Sequence, residues 1–152
     1  MSEKEGFYTF KGYQLNDTGK LSSSMEDYLE MICRVLQNCD VVRINKLAEK
    51  LHVKPSSASK MVSNLKQAGY IEFEKYGYIV VTKKGIETGN YLLYRHDVLH
   101  DFLCAINHSD NELEQVEKIE HFINKSTIEN LEKLTQKLTK EAKSSEKKTQ
   151  SF

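Results

Sequence analysis

The fold of this chain is decided by residues 44–81, INKLAEKLHVKPSSASKMVSNLKQAGYIEFEKYGYIVV. The segment 44–51 has the apolar spacing of a short amphipathic helix, and residues 52–54 form a tight connection to the next helix. Pro55 suits the first position of that second helix, where its missing N–H loses no hydrogen bond. Gly69 is a natural C-terminal stop. The pattern predicts two short helices joined by a tight turn.

Two β-like runs follow, at residues 70–73 and 78–81, on either side of a glycine-containing turn of hairpin length. A short helix, a tight turn, a helix and a two-stranded hairpin are the order of a winged helix-turn-helix. Apolar and capping patterns predict four more helices. These run from Ser23 to about Asn38, from Thr82 to about Ile106, from Ser109 to about Asn124 and from Ser126 to about Lys140, and Ser–x–x–Glu capping boxes are predicted at Ser23, Ser109 and Ser126.

Composition places the chain among ordinary globular proteins. Its 152 residues are 39% hydrophobic and 29% charged. No apolar run approaches the roughly 18–20 residues that span a bilayer, and the N-terminus lacks a secretory signal pattern. The three cysteines form no CxxC pair, which argues against a disulfide framework or a thiolate zinc site. We therefore expect a cytoplasmic protein without a membrane partner.

Charge is unevenly distributed although the net charge is zero. Residues 41–85 contain nine Lys or Arg and three Asp or Glu, for a net charge of +6. Residues 86–132 contain three Lys or Arg and ten Asp or Glu, for a net charge of −7. The basic segment suits a polyanion, and the acidic segment suits cations or a partner. The alternative is two ordinary solvated faces.

The basic segment predicts double-stranded DNA as a partner. Small hydroxyl residues on the outward face of the second helix allow close approach to the groove, and cationic side chains contact phosphates. The alternative is a helical pair that makes protein contacts, with serines as ordinary surface residues. The candidate DNA-binding residues are Arg43, Lys54, Ser56, Ser57, Ser59, Lys60, Ser63, Asn64 and Lys66, with Lys75 and Tyr76 at the tip of the wing.

The remaining helices carry candidate metal ligands. Asp27 and Glu30 are three positions apart and share one helix face. Glu117, Glu120 and His121 share another, with a Glu–x–x–Glu–His spacing suited to chelation. The alternatives are a solvated acidic face and histidines that are hydrogen-bonded at helix contacts.

Four segments together resemble the diphtheria toxin repressor family, and most closely its manganese-sensing branch. They are SMEDYLE at 24–30, PSSASKMV at 55–62, YRH at 94–96 and VEKIEH at 116–121. The resemblance implies two metal ions per subunit, held between the DNA-binding domain and the dimerisation helices. The implied ligands are Asp27, Glu30, His96, Glu117, Glu120 and His121.

Two of these positions indicate which branch of the family the chain resembles. Iron-sensing members have sulfur-containing residues where this chain has Asp27 and Glu117. Carboxylates suit a hard cation such as Mn²⁺, although Fe²⁺, Co²⁺ or Cd²⁺ could also bind. The resemblance thus implies a manganese-activated repressor of metal-uptake genes. The alternatives are an iron- or broader metal-dependent regulator, a metal-independent winged-helix regulator, and a metal-dependent hydrolase, for which no nucleophile is evident.

The predicted protein is mainly α, with a winged helix-turn-helix domain followed by a helical metal-binding and dimerisation domain. The resemblance implies a homodimer on a palindromic operator, with no small-molecule substrate. Without metal, four carboxylates should repel and release the first helix; metal should hold it. An apolar dimer surface is expected at Ile119, Phe122 and Ile123. The expected divisions are a leader of unassigned role at 1–21, the DNA-binding domain at 22–84, the dimerisation domain at 85–140 and a disordered tail at 141–152.

Overall fold

Seven α-helices and a small antiparallel sheet make up the residues that the computed structural model describes, 8–15, 20–74 and 77–149. The prediction of a mainly α fold with a small β wing is confirmed. No helix in these three ranges is long and apolar enough to cross a membrane. The elements are α1 (Phe10–Leu15), α2 (Ser23–Asn38), β1 (Val42–Arg43), α3 (Ile44–Leu51), α4 (Pro55–Gln67), β2 (Ile71–Phe73), β3 (Tyr78–Val81), α5 (Lys83–Asn107), α6 (Leu113–Ile119), a 3₁₀ turn (Glu120–Phe122) and α7 (Lys125–Thr149).

Helices α3 and α4 form the predicted helix-turn-helix. His52, between them, has a φ of 55°, in the left-handed region that ends a helix and reverses the chain. Its backbone N–H donates to the carbonyl of Glu49 at 3.2 Å, which satisfies one of the last carbonyls of α3. Pro55 is the first residue of α4, and Gly69 follows its end with a φ of 86°. Both helices therefore begin and end where local sequence places them.

The wing has three strands in the order β1–β3–β2, one more than the hairpin that the sequence predicts. Strands β2 and β3 form that hairpin, and the N–H of Glu74 donates to the carbonyl of Tyr78 at 2.9 Å to close it. The extra strand β1 pairs Val42 with Ile79. Two residues are too few to show a periodic pattern, so β1 emerges only from pairing with a distant segment.

Two hydrophobic cores meet along α5. The first joins α2, α3, α4, the sheet and the early part of α5 through Leu92. The second joins the later part of α5 to α6 and α7, with Val98, Val116 and Ile128 at its centre. His96 therefore lies on the stretch of α5 where one core gives way to the other, and it is itself buried.

Two predicted capping boxes differ from the structure near the start of their helices. Ser22, rather than Ser23, caps α2, and its Oγ accepts from the N–H of Met25 at 3.1 Å. At α6, Ser109 donates to the carboxylate of Glu112 at 2.6 Å instead of capping the helix. Helix α6 consequently begins only at Leu113 and gives way to the 3₁₀ turn at Glu120, before the predicted end near Asn124.

Helix α7 is longer than predicted at both ends. It begins at Lys125, so Ser126 lies inside its first turn and is not a cap. It continues to Thr149, where the sequence predicts disorder from residue 141. The segment 141–149 contains no Gly or Pro and is rich in Glu and Lys, which favour helix even without a buried face. Residues 150–152 lie outside the described ranges.

Part of the N-terminal segment is helical, although its sequence shows little helical pattern. Helix α1 is one and a half turns long, and Thr9 Oγ1 accepts from the N–H of Gly12 at 3.2 Å. The ring of Phe10 meets the ring of Phe122 edge-to-face, with centroids 4.8 Å apart. A contact with the turn after α6 thus holds α1. Residues 1–7 and 16–19 lie outside the described ranges.

Candidate metal centre and DNA-binding surface

The six candidate metal ligands converge where α2 meets α5, α6 and the 3₁₀ turn. Helix α2 carries Asp27 and Glu30 one turn apart, and α5 carries His96. Glu117 lies on the last turn of α6, and the 3₁₀ turn that follows carries Glu120 and His121. The structure sorts their ligand atoms into two groups, each within 4.8 Å.

The first group surrounds Nδ1 of His96. This nitrogen lies 3.2 Å from Oε2 of Glu120, 3.5 Å from Oε1 of Glu117 and 3.8 Å from Oε1 of Glu30. Three of the four side chains are almost fully buried, whereas that of Glu117 is 51% exposed. Glu117 therefore marks the side on which this group opens to solvent.

The second group consists of Asp27, Glu120 and His121. Nε2 of His121 lies 3.0 Å from Oδ1 of Asp27 and 4.0 Å from Oε1 of Glu120. Glu120 is 1% exposed and directs one carboxylate oxygen toward each histidine. It is the residue that the two groups share.

Close packing of acids changes their protonation in the first group. Burial, followed by the charge of Glu120, raises the pKa of Glu30 to about 7. Burial likewise raises the pKa of Glu117. The hydrogen bond with Glu120 raises the pKa of His96. Protons thus offset part of the negative charge when no cation is bound.

The second group holds its histidine in the charged form more strongly. Burial lowers the pKa of His121, but the carboxylates of Asp27 and Glu26 outweigh burial and raise this pKa to about 10. Glu26 accepts a hydrogen bond from Nδ1 of His121 at 2.9 Å. The imidazole is therefore held between two acids on neighbouring positions of α2.

The donor set fits divalent cations. Oε1 of Glu30 is buried and has no hydrogen-bond partner among the described residues, and its ion pairs with Arg34 at 3.7 Å and His96 at 3.8 Å are long. A buried acceptor without a hydrogen bond is costly, and a bound cation would satisfy it. Four carboxylates and two imidazoles make an oxygen-rich set of the kind that hard cations prefer. The arrangement can hold two ions, one on each side of Glu120.

The candidate DNA-binding residues on α4 share one exposed face. They are Ser56, Ser57, Ser59, Lys60, Ser63, Asn64 and Lys66, and all of them are solvent-exposed. The opposite face packs into the first core through Ala58, Val62 and Leu65. This division leaves the hydroxyl and lysine side chains free to meet a groove.

Aromatic side chains of the wing orient two of the candidate cations. Arg43 stacks over the ring of Tyr78 at 4.5 Å and donates to its hydroxyl at 2.7 Å. Lys66 lies 5.4 Å above the ring of Phe73. Lys54 is exposed at the N-cap of α4, while Lys75 and Tyr76 lie outside the described residues. The basic surface thus extends from α4 to the base of the wing.

The three candidate dimer residues differ in exposure. Ile119 and Ile123 are half-buried and pack on the second core of the same protomer. Phe122 is 52% exposed and contacts Phe10.

Sequence reasoning missed Glu26 and Arg95, which contact the second group. Spacing indicates only a capping role for Glu26, and Arg95 enters only as part of the YRH segment at 94–96. Two signals could have identified them: Glu26 precedes Glu30 by four positions on one helix face, and Arg95 directly follows the apolar stretch 91–94 of α5. Arg95 is 3% exposed, and its Nη1 lies 3.3 Å from Oε2 of Glu26.

Comparison with known proteins matches both halves of the chain. The family model "Iron dependent repressor, N-terminal DNA binding domain" matches residues 20–79. The model "Iron dependent repressor, metal binding and dimerisation domain" matches residues 82–148. The junction between the two matches falls at Thr82, immediately before α5.

Individual relatives agree with the family models. The HTH-type transcriptional regulator MntR of Shouchella clausii is 40% identical over 114 residues, which are 74% of this chain and 80% of the relative. MntR of Bacillus subtilis is 37% identical over 134 residues, 84% of this chain and 94% of the relative. The solved structure of the manganese regulator SloR matches with a TM-score of 0.63 and 27% identity. That match covers 72% of this chain and 52% of SloR, so the chain spans about half the length of that structure.

These matches decide among the alternatives from the sequence. The family consists of repressors and not enzymes, which excludes the hydrolase interpretation. Its second model describes metal binding, which disfavours a metal-independent regulator. The chain belongs to the iron-dependent repressor family of metal-dependent, DNA-binding transcriptional repressors.

Proposed function

We propose that this chain is a manganese-activated repressor of metal-ion uptake genes, which acts in the cytoplasm as a homodimer on a palindromic operator. One observation carries the proposal: four carboxylates and two imidazoles converge where α2 meets α5 and α6. None of these six groups is a thiol or thioether, and such oxygen-rich sets suit Mn²⁺ better than softer metals. The likeness to MntR proteins and to a manganese regulator supports the same metal.

The two groups of ligand atoms define two proposed ion sites. Glu30, His96, Glu117 and Glu120 would hold one ion, and Asp27, Glu120 and His121 would hold the other. Two bound divalent cations supply positive charge that offsets the four carboxylates. Asp27 and Glu30 are the only two of the six on α2, so occupancy of both sites favours the packing of α2 against α5 and α6.

Helix α2 links the ligand groups to the DNA-binding face. Its residues Leu29 and Ile32 are fully buried in the same core as Val62 and Leu65 of α4. Because cores are closely packed, the position of α2 constrains that of α4. Restraint of α2 therefore lowers the conformational entropy that α4 loses on binding DNA, without a large movement.

The proposed domains follow from the same connection. Residues 22–84 would form the DNA-binding domain, and residues 85–140 the metal-binding and dimerisation domain. Phe122 offers an exposed apolar ring to the dimer surface, with Ile119 and Ile123 beside it. In a dimer, two α4 helices about 34 Å apart would enter successive major grooves.

The proposed DNA contacts divide into two classes. Small side chains such as Ser56, Ser57, Ser59 and Ser63 allow α4 to approach base edges closely. Lysine and arginine side chains around them contact phosphates, which supplies affinity independent of sequence. The proposed phosphate contacts are Arg43, Lys54, Lys60 and Lys66, with Lys75 and Tyr76 at the tip of the wing.

DNA binding measured against separate titrations of Mn²⁺, Fe²⁺ and Zn²⁺ tests the function. The operator would be selected from a random duplex pool in the presence of Mn²⁺, and binding followed by fluorescence anisotropy at fixed salt. We expect Mn²⁺ to tighten binding by roughly 5–150-fold, the usual range of allosteric coupling. Fe²⁺ should activate less, and Zn²⁺ should activate less because it prefers four ligands.

A matched variant tests whether the Mn²⁺ response depends on the proposed site or on any acidic residue nearby. Glu114→Gln removes an exposed carboxylate of α6 that pairs with Lys118 and lies outside both groups, and it should keep the full Mn²⁺ response. Equal DNA affinity with and without metal in the unmodified chain would contradict the proposal. Stronger activation by Fe²⁺ than by Mn²⁺ would instead assign the chain to iron.

A further inference from the structure

We propose that Glu26 and Arg95 are positioning residues that orient His121, so that Nδ1 carries a proton and Nε2 faces the second ion site. The inference rests on the proposed function, because it concerns how the chain prepares one of the two ion sites. Neither residue belongs to the two groups of candidate ligand atoms. Their role would be to fix the ring that supplies a ligand.

The two nitrogens of His121 meet two carboxylates of α2 in different ways. Nδ1 lies 2.9 Å from Oε1 of Glu26 in a well-aligned hydrogen bond. Nε2 lies 3.0 Å from Oδ1 of Asp27, yet that oxygen has no hydrogen-bond partner among the described residues. A carboxylate only accepts, so the aligned contact places the proton on Nδ1. A cation that binds at Nε2 would displace the proton of the charged ring from that nitrogen, beside Asp27, and leave the proton on Nδ1 in place.

Arg95 holds Glu26 in the position that this hydrogen bond requires. Its Nη1 lies 3.3 Å from Oε2 of Glu26, and its Nη2 lies 3.5 Å from Oε1. Arg95 is 3% exposed, so its charge depends on Glu26 for compensation within the protein. The paired contact restrains both oxygens of Glu26 and thereby the rotation of the carboxylate.

One further contact allows a different tautomer. Nη2 of Arg95 lies 3.4 Å from Nδ1 of His121 and would donate to that nitrogen if it carried no proton. Nε2 would then carry the proton and could not bind a metal. The shorter distance from Nδ1 to Glu26 favours the first arrangement, in which Nδ1 and Nη2 both donate to the same oxygen. The two arrangements differ in which nitrogen binds metal, and this can be measured.

The first measurement identifies the coordinated nitrogen in the full chain. Loading with ¹¹³Cd²⁺ gives a diamagnetic complex, and long-range ¹H–¹⁵N spectra distinguish Nδ1 from Nε2 in each histidine. His121→Ala assigns the signals. We expect His121 to coordinate through Nε2 and to retain a proton on Nδ1. Coordination of ¹¹³Cd²⁺ through Nδ1 of His121 would overturn the proposal.

The second measurement is Mn²⁺ binding by calorimetry in Glu26→Ala and Glu26→Gln. Outer carboxylates of this kind typically contribute about 10–100-fold in metal affinity. We expect such a loss at one of two sites in Glu26→Ala, and a smaller loss in Glu26→Gln, whose amide oxygen still accepts from Nδ1. In a His121→Ala background, Glu26→Ala should have no additional effect on Mn²⁺ affinity.

Controls separate positioning from folding. Glu26→Ala leaves the buried Arg95 unpaired, so thermal unfolding of the metal-free proteins is recorded beside the binding data. If Glu26→Ala does not fold, Glu26→Gln carries the test, because it preserves side-chain volume. Unchanged Mn²⁺ affinity at both sites in a folded Glu26 variant would overturn this inference alone. Failure of the unmodified chain to bind Mn²⁺ would overturn the proposed function as well.

Discussion

The exposed face of α4 and the buried candidate metal centre differ in how far apart their residues lie in the sequence. The seven polar residues of the α4 face lie between Ser56 and Lys66, on one helix whose opposite side is core. The candidate ligands extend from Asp27 to His121. They come from the first half of α2, the middle of α5, the end of α6 and the 3₁₀ turn. Each residue of the α4 face is exposed, so we expect its substitution to act largely independently of the others. The ligand residues share charges and contacts, so changes among them should have effects that do not add.

The largest effect is expected from Glu120→Ala. Glu120 directs one oxygen toward each histidine, so its loss affects both groups of ligand atoms at once. The variant should stay folded, because it removes one of four mutually repelling carboxylates. DNA anisotropy with and without Mn²⁺ should show no activation, a loss of the whole coupling of roughly 5–150-fold.

Glu114→Ala serves as its control, because Glu114 is exposed on α6, the helix before the turn that carries Glu120, and lies outside both groups. Retained Mn²⁺ activation in Glu120→Ala would show that the two groups do not depend on a shared carboxylate.

A change of metal preference is expected from Asp27→Met. The substitution replaces a hard oxygen donor with a soft thioether while α2 keeps its buried face. Activation should broaden from Mn²⁺ toward Fe²⁺, and DNA affinity at saturating metal should remain nearly normal because Asp27 lies on α2, outside the exposed face of α4. Anisotropy titrations with each metal measure this. An unchanged preference for Mn²⁺ over Fe²⁺ would mean that Asp27 does not set selectivity.

A graded effect is expected from Lys60→Ala on the α4 face. Loss of one phosphate contact should weaken operator and non-operator DNA alike and reduce the slope of log affinity against log salt by about 0.9. Lys143→Ala, on the exposed end of α7, should leave the slope unchanged. An unaltered slope in Lys60→Ala would place that side chain outside the interface.

The smallest effect is expected at Cys33, on the helix α2 that connects the candidate metal centre to the α4 face. Burial, with a contribution from Glu30, raises the pKa of the Cys33 thiol to about 11. In a Cys39→Ser/Cys104→Ser variant, Cys33 should react with a disulfide reagent about tenfold more slowly than the exposed Cys39 does in a Cys33→Ser/Cys104→Ser variant. Mn²⁺ should slow it further by restraining α2. Faster reaction of Cys33 in the presence of Mn²⁺ would contradict that restraint.

Local signals explain which parts of the fold could be predicted. Helices α3 and α4 follow from a short amphipathic pattern, a proline and a glycine, all acting within a few residues. Ser–x–x–Glu spacing was a weaker guide. At α6, the hydroxyl of Ser109 bonds to the Glu112 side chain instead of a backbone N–H, and spacing alone cannot distinguish these partners. Strand β1 depends on a partner that is distant in sequence.

The six candidate ligands can be named together from sequence only because the resemblance to a family implies all six positions. Spacing alone groups residues on one helix, Asp27 with Glu30 and Glu117 with Glu120 and His121. The roles of Glu26 and Arg95 depend on contacts across 69 positions, which no local pattern encodes. The division of the six residues around Glu120 likewise required the structure.

Reciprocal linkage tests the central claim most directly, that metal at the junction and DNA at α4 are coupled through α2. Mn²⁺ affinity would be measured by calorimetry with and without the selected operator, and DNA affinity with and without Mn²⁺ under the same conditions. Thermodynamic linkage requires both factors to be equal, and we expect both to lie at roughly 5–150. Mn²⁺ binding that is unaffected by operator DNA would contradict the account.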